Sequence, residues 1–297
     1  MIKTAIFLML SLFVQQTMAQ ENNELLEAQK KVIAELSGHQ IPEDGRRIPH
    51  RSTKEERELT RDYLSKVIES LDLTPQLQEY TRPNVNPIID LLFEPYRGAN
   101  VYTTLPSTNE SDAYLVIGAH FDTERNCPGA IDNASGIAIG FGVLRKLTML
   151  KERNANVILV YFDQEEEDLV GSQAFAQKLK KEEFNVHSVH SMDTMGWDRD
   201  GDNAVELGLP SDLLEKTYVE VGKELNIPIV ITSVGSSDHV PFLDLGFNAV
   251  GLTDELTSGD YAPYKDTEND TYETVNFDYI TTSTELVYEV LKKLMEE

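Results

Sequence analysis

From residue 100 onward, short unbroken apolar runs alternate with longer stretches in which apolar residues recur every three or four positions. Val101–Leu105, Tyr114–Gly118 and Val157–Phe162 read as strands, the last continuous enough for a strand covered on both faces. Helices are predicted over Ala134–Leu150, with Asp132 or Asn133 near the cap, and over Ser172–Lys181. A strand then approaches Ser191, and Ala204–Leu207, Ile227–Ile231 and Ala249–Leu252 are further strand candidates. A helix over Ser211–Leu225 separates two of them, and the chain closes on a helix starting at Asn276. Its apolar line is Ile280, Thr284, Val287, Leu291 and Leu294. Strands alternating with helices predict an α/β fold, a single three-layer domain with a mainly parallel central sheet and helices on both faces.

The N-terminal part follows other rules. Ser52–Leu71 carries Leu59, Tyr63, Val67 and Leu71 at four-residue spacing, so it reads as a helix. Ser52 with Glu55, or Thr53 with Glu56, can form a capping box there. Residues 74–98 are interrupted by prolines and give no clear assignment. At the start, Lys3, an apolar segment from Ala5 to Val14, and Thr17-Met18-Ala19 have the order of a secretory signal peptide. The apolar segment is short of the ~20 residues that span a bilayer. Residues 1–19 are therefore expected to be removed, leaving 20–297 as the catalytic domain of a secreted or periplasmic protein.

Composition narrows the partners. The chain has 51 Asp plus Glu against 26 Lys plus Arg, a formal net charge of −25. Such a chain repels phosphate backbones, which excludes nucleic acid as a natural partner. No later segment has transmembrane length, so no membrane is expected as a partner either. Cys127 is the only cysteine, so an intramolecular disulfide is impossible and the core must hold the fold.

The chemistry gathers at predicted strand ends. His120 and Asp122 follow the strand ending at Gly118, Glu165 and Glu166 follow the one ending at Phe162, and Asp193 follows the next. In parallel sheets the carboxyl ends of the strands form the ligand edge. Histidine and carboxylate side chains delivered there suit a divalent cation. Any one of these acids alone reads as an ordinary solvated residue. As an ordered set on one edge, with Asp132 at a helix start, they point to a hydrolytic metal site.

The stretches GAHFDT, PGAIDNASG, EEEDLVGS, SMDTMG and SSDHVPF carry a more specific signal. Through them residues 40–297 resemble the secreted bimetallic zinc aminopeptidases, in the peptidase family that also contains glutamate carboxypeptidase and glutaminyl cyclase. The resemblance implies that His120 and Asp193 hold one metal, that Glu166 holds a second, and that Asp132 bridges the two. It implies that Asp122 orients the His120 imidazole and that Glu165 is the general base. Gly171-Ser172 fixes that register within the three glutamates, leaving Glu167 as a solvated neighbour. The chain departs from the family's usual Tyr-His-Thr, two residues, Asp-Thr, because Lys265-Asp266-Thr267 stands there. Asp266 takes the histidine's place, so the second site becomes an all-oxygen set that suits Mg, Ca or Mn better than a mixed set does. Asp238 and His239 lie in a family motif near the site, and are expected to contact substrate or to support the ligands. His187 and His190, outside any motif, read as structural.

What the resemblance implies is a zinc-dependent aminopeptidase that hydrolyses N-terminal residues from peptides by metal-activated water. Two alternatives are a single-zinc enzyme like glutaminyl cyclase and a non-catalytic binding module on the same scaffold. A carboxypeptidase for acidic C-termini would need pocket arginines, and none stands near the motifs.

Overall fold

The computed structural model describes residues 20–83, 94–233 and 235–296. The predicted leader, and part of the unassigned 74–98 segment, lie outside the described residues. Helix α1 covers 20–36, and α2 covers Lys54–Glu69. The capping box forms at Thr53 and Glu56, and Tyr63, Leu64, Val67 and Ile68 bury its inner face. Strand β1 spans Gln76–Arg82 within the stretch that gave no sequence assignment. It is a polar edge strand with no buried residue, so no alternation of apolar side chains marked it.

β2 (Tyr96–Leu105), β3 (Ala113–His120), β4 (Asn156–Phe162) and β5 (Asn185–Met192) build the centre. β6 (Val205–Gly208), β7 (Ile229–Thr232) and β8 (Ala249–Thr253) complete one eight-stranded sheet, ordered β1-β2-β4-β3-β5-β8-β6-β7. The pairs β4–β3, β3–β5, β5–β8 and β6–β7 are parallel, whereas β1–β2, β2–β4 and β6–β8 are antiparallel. The mainly parallel expectation holds, with antiparallel edges.

Alternate side chains of the central strands feed two cores. Leu115 and Ile117 of β3, with Leu159 and Tyr161 of β4, face the larger core, which α1, α2, α3 (Gly136–Thr148), α5 (Asp212–Leu225) and α7 (Phe277–Leu294) complete. Val116, Ile158, Val160 and Phe162 face a smaller core closed by Phe175 and Leu179 of α4 (Val170–Lys181) and Phe242 of α6 (Val240–Asp244). Each fully buried aliphatic or Phe side chain contributes roughly 1.5–3 kcal/mol. Burial on both faces is why β4 reads as an unbroken apolar run.

The parallel register decides where the chemistry sits. His120 pairs with Phe162, Gly118 with Ser191, and Met192 with Leu252. The carboxyl ends of four adjacent strands are therefore level. One boundary differs from the sequence reading. α3 begins at Gly136 rather than Ala134, because Ala130–Ser135 form a separate, wider turn in which Asp132 and Asn133 have non-helical backbone angles. Asn133, not Asp132, serves the helix start, its Oδ1 accepting the Gly136 N–H at 3.0 Å.

Candidate metal centre

Three side chains converge beyond the ends of β3 and β5. His120 Nε2 lies 3.0 Å from Asp132 Oδ1 and 3.4 Å from Asp193 Oδ1. A tetrahedral ion with bonds of ~2.0–2.2 Å would separate its ligand atoms by about 3.3–3.6 Å; the Asp193 spacing falls in that range and the Asp132 spacing a few tenths of an ångström below it. Asp132 Oδ1 is buried and has no hydrogen-bond partner. A buried carboxylate oxygen left in that state beside an imidazole nitrogen is suited to a cation rather than to its neighbour. Glu166 can bring a carboxylate oxygen within 4.8 Å of His120 and Asp132. The donor set therefore fits a divalent metal.

The imidazole is held for that task. His120 Nδ1 is 3.2 Å from the Asp122 carbonyl oxygen and 3.6 Å from Asp122 Oδ1. A proton on Nδ1 donated to Asp122 leaves the Nε2 lone pair facing Asp132 and Asp193. The Asp122 carboxylate also accepts the Glu165 N–H on Oδ1 at 3.0 Å and the Glu166 N–H on Oδ2 at 3.2 Å. One side chain thus ties the loop after β3 to the loop after β4. Burial alone would discharge His120, but the Glu165 and Asp193 carboxylates, with Asp122 and Asp132 beside the ring, raise its pKa well above the ordinary value.

The turn after β4 is fixed from the other side. Gln164 takes a left-handed φ of 60°, and Asp163 before it is fully buried. Asp163 receives Arg57 Nε at 2.8 Å and Arg61 Nη1 at 3.1 Å. At Gly171 an added Cβ would collide with the Asp163 carbonyl, so the Gly-Ser anchor has a steric reason. Glu167 turns away from the centre, accepting from Gln164 Nε2 at 2.6 Å. Burial, partly offset by His120, pushes Glu165 well above the ordinary carboxylate range, and Asp193, Asp238 and Asp132 add to the shift. Burial and Asp132 push Glu166 up to about 8. A bound divalent cation reverses this logic by favouring the ionised forms.

Asp193 behaves differently. Burial would raise it, but Lys265, His120 and a bond from Ser237 hold it below the usual range. Asp238 is fully buried beside the Ser172 hydroxyl, and burial pushes it up to about 7. His239 is buried as well, neither ring nitrogen has a hydrogen-bond partner, and burial pushes it down to about 4. It is thus a neutral imidazole. His190 is enclosed by Ser188 Oγ and Tyr218 Oη, each at 2.9 Å, as a structural histidine.

Sequence reasoning did not single out four residues. Arg51 is fully buried, and its guanidinium donates to the carbonyls of Leu36, Phe121, Pro128 and Gly129 at 2.5–2.9 Å. Its own N–H donates to Thr123 Oγ1 at 3.1 Å, so it clamps the loop after β3 to the turn before Asp132. Asp270 accepts the N–H groups of Ile131 and Asp132 at 2.8 and 2.9 Å, anchoring the same turn from the C-terminal loop. Asp254 is buried after β8 and accepts the Ala262 N–H at 3.1 Å. Lys265 reaches the centre itself, its Nζ 3.1 Å from Asp132 Oδ2. Burial would discharge Lys265, but Asp193, Asp132 and Asp266 hold its ammonium well above the ordinary range. The one sequence signal was its place beside Asp266, at the motif position that departs from the family. Asp266 is exposed, has a left-handed φ of 61°, and stands outside the group formed by His120, Asp132 and Glu166.

A mainly parallel sheet with a histidine–carboxylate centre at its strand ends defines a metallohydrolase class. Residues 100–291 match Peptidase family M28, and the chain belongs to that family. A probable leucine aminopeptidase of Trichophyton verrucosum is 30% identical over 200 residues, 61% of this chain and 53% of that protein. Aminopeptidase YwaD of Bacillus subtilis is 26% identical over 189 residues, covering 60% of this chain and 41% of its own. The first few curated relatives are matched over only 23% to 56% of their lengths. Among solved structures, a zinc aminopeptidase from Bacillus subtilis superposes with a TM-score of 0.78 at 13% identity, covering 91% of this chain and 95% of that one. Porphyromonas gingivalis glutaminyl cyclase superposes with a TM-score of 0.71 at 15% identity, covering 91% and 98%. Among the described residues no helix is long and apolar enough to cross a membrane.

Proposed function

We propose that this protein is a zinc-dependent aminopeptidase that removes N-terminal residues from peptides. The observation that carries the reading is His120 Nε2 placed 3.0 Å from Asp132 Oδ1 and 3.4 Å from Asp193 Oδ1, with the Asp132 oxygen unpartnered and a Glu166 oxygen within 4.8 Å of His120 and Asp132. Membership of family M28, and relatives named leucine aminopeptidases, support it. His120, Asp132 and Asp193 would hold the metal, with Glu166 as the next donor. A bound divalent ion supplies Lewis acidity, polarising a carbonyl oxygen and lowering the pKa of water. Glu165 is the base in this reading. Its carboxylate lies in the electrostatic field of His120 and Asp193, and it would take a proton from water and return it to the leaving amine. Asp122 positions both partners, through the imidazole Nδ1 and through the Glu165 N–H. Asp238 and His239, buried nearby, would line the substrate side.

Purified protein should contain zinc and should hydrolyse aminoacyl arylamides, with loss of turnover on chelation. Cyclisation of N-terminal Gln peptides without aminoacyl hydrolysis would favour the glutaminyl cyclase alternative. Bound metal with neither activity would favour a binding module. The leader-like residues 1–19 add the proposal that the enzyme acts outside the cytoplasm. Intact mass of exported protein starting at Gln20 supports that, and a retained Met1 would contradict it.

A further inference from the structure

The two oxygens of Asp132 face different cations. Oδ1 faces His120 Nε2 at 3.0 Å without bonding to it, whereas Oδ2 receives the Lys265 ammonium at 3.1 Å. A carboxylate that bridges two metals offers one oxygen to each. Here the second oxygen is already engaged by a side chain of this same chain. Lys265 comes from the loop between β8 and α7, its side chain 39% exposed and its Nζ against Asp132 Oδ2. The neighbouring residue, which would have to ligate a second metal, is the exposed Asp266 with its left-handed backbone. His120, Asp132 and Glu166 close into a common ligand group; Asp193 meets it through His120 Nε2 at 3.4 Å, whereas Asp266 is near enough to act on Asp132 and Glu166 by charge but makes no such contact. The residues therefore suit one ion, while the oxygen that a second ion would need is held by Lys265.

We propose that Lys265 supplies at this centre the positive charge that a second metal supplies in a dinuclear site, so that the chain holds one divalent ion. This rests on the metalloenzyme reading above and deepens it. The centre collects Asp132, Glu165, Glu166 and Asp193, and one divalent ion leaves that cluster with excess negative charge. An ammonium on Asp132 Oδ2 offsets part of the excess. It also repels any further cation from the same oxygen, since like charges a few ångström apart are strongly unfavourable in a partly buried site. Lysine does this without exchange with solvent, and its compact charge needs no fixed coordination geometry.

Metal stoichiometry tests the inference directly. Full-length protein is loaded with excess zinc, desalted, and its zinc counted by mass spectrometry, with isothermal titration supplying the affinity of each equivalent. The wild type should retain one zinc per chain. Lys265→Gln should bind a second equivalent about tenfold or more tightly than the wild type does, and Lys265→Gln with Asp266→His should retain two. Circular dichroism of both variants confirms that they are folded, and the wild-type count stands independently of them. Two tightly held zinc ions in the wild type would overturn the inference and leave the proposed function intact. A second equivalent no tighter in Lys265→Gln would overturn the role of Lys265. No retained zinc in any form would overturn the metalloenzyme reading itself.

Discussion

The Oδ1 atom of Asp122 accepts the backbone N–H of Glu165 at 3.0 Å, so the residue beside the imidazole also fixes the height of the candidate base. Strands β3 and β4 are parallel neighbours whose ends are level, with His120 opposite Phe162. This bond carries that alignment into the loops. Asp122→Ala should therefore weaken zinc binding by roughly 10–100-fold, as loss of a group that orients a metal-ligating histidine does. Turnover should fall by more than metal loss alone explains, because Glu165 loses its anchor. Competition with a zinc chelator, followed by turnover at saturating zinc, separates the two effects.

Arg51 gives a stability prediction. Its guanidinium donates to four carbonyls, among them Phe121 next to His120 and Gly129 in the turn before Asp132. Arg51→Leu would remove these donors, at roughly 1–3 kcal/mol for each buried carbonyl not rescued by water, although Gly129 keeps the Ala134 N–H. Urea unfolding should show a loss of at least about 3 kcal/mol, with lysine at 51 rescuing only part of it. A change within about 0.5 kcal/mol would show that the clamp is dispensable.

The fold and the centre were unequally legible in the sequence. Strand ends carrying His120 and Glu165 could be read because β3 and β4 are apolar runs, the trace that buried parallel strands leave, whereas β5, before Asp193, has only Val186, Val189 and Met192 as apolar positions. Helix α2 could be read from its spacing and capping box. β1 could not, since an edge strand with polar side chains has no period to detect. Nor could Arg51 and Asp270, because they act on backbone carbonyl and N–H groups from distant loops. Such bonds depend on tertiary closure and follow no local pattern. Lys265 stood at a visible departure from the family motif, but its direction depends on how the β8–α7 loop folds.

His190 gives a pH dependence. Burial, with His187 adding, pushes it down to about 3 from an ordinary 6.5, so it stays neutral between Ser188 and Tyr218. Below about pH 6.5 the unfolded chain binds a proton that the folded chain does not, so stability falls with pH between 6.5 and 3. His190→Gln removes that titration while keeping an amide that can meet both hydroxyls. Urea melts from pH 7 to 4 should show a shallower acid decline in the variant, by up to about 1.4 kcal/mol per pH unit. Parallel declines in the two proteins would place the acid sensitivity elsewhere.

The most direct test of the central claim replaces one oxygen. In Glu165→Gln the centre keeps His120, Asp132, Glu166 and Asp193, while the side chain proposed to accept a proton from water loses its basicity. Zinc content and hydrolysis of an aminoacyl arylamide are measured on the same preparations of wild type and variant. The account predicts unchanged zinc with turnover reduced by roughly 10²–10⁴-fold. Unchanged zinc with turnover close to that of the wild type would contradict it.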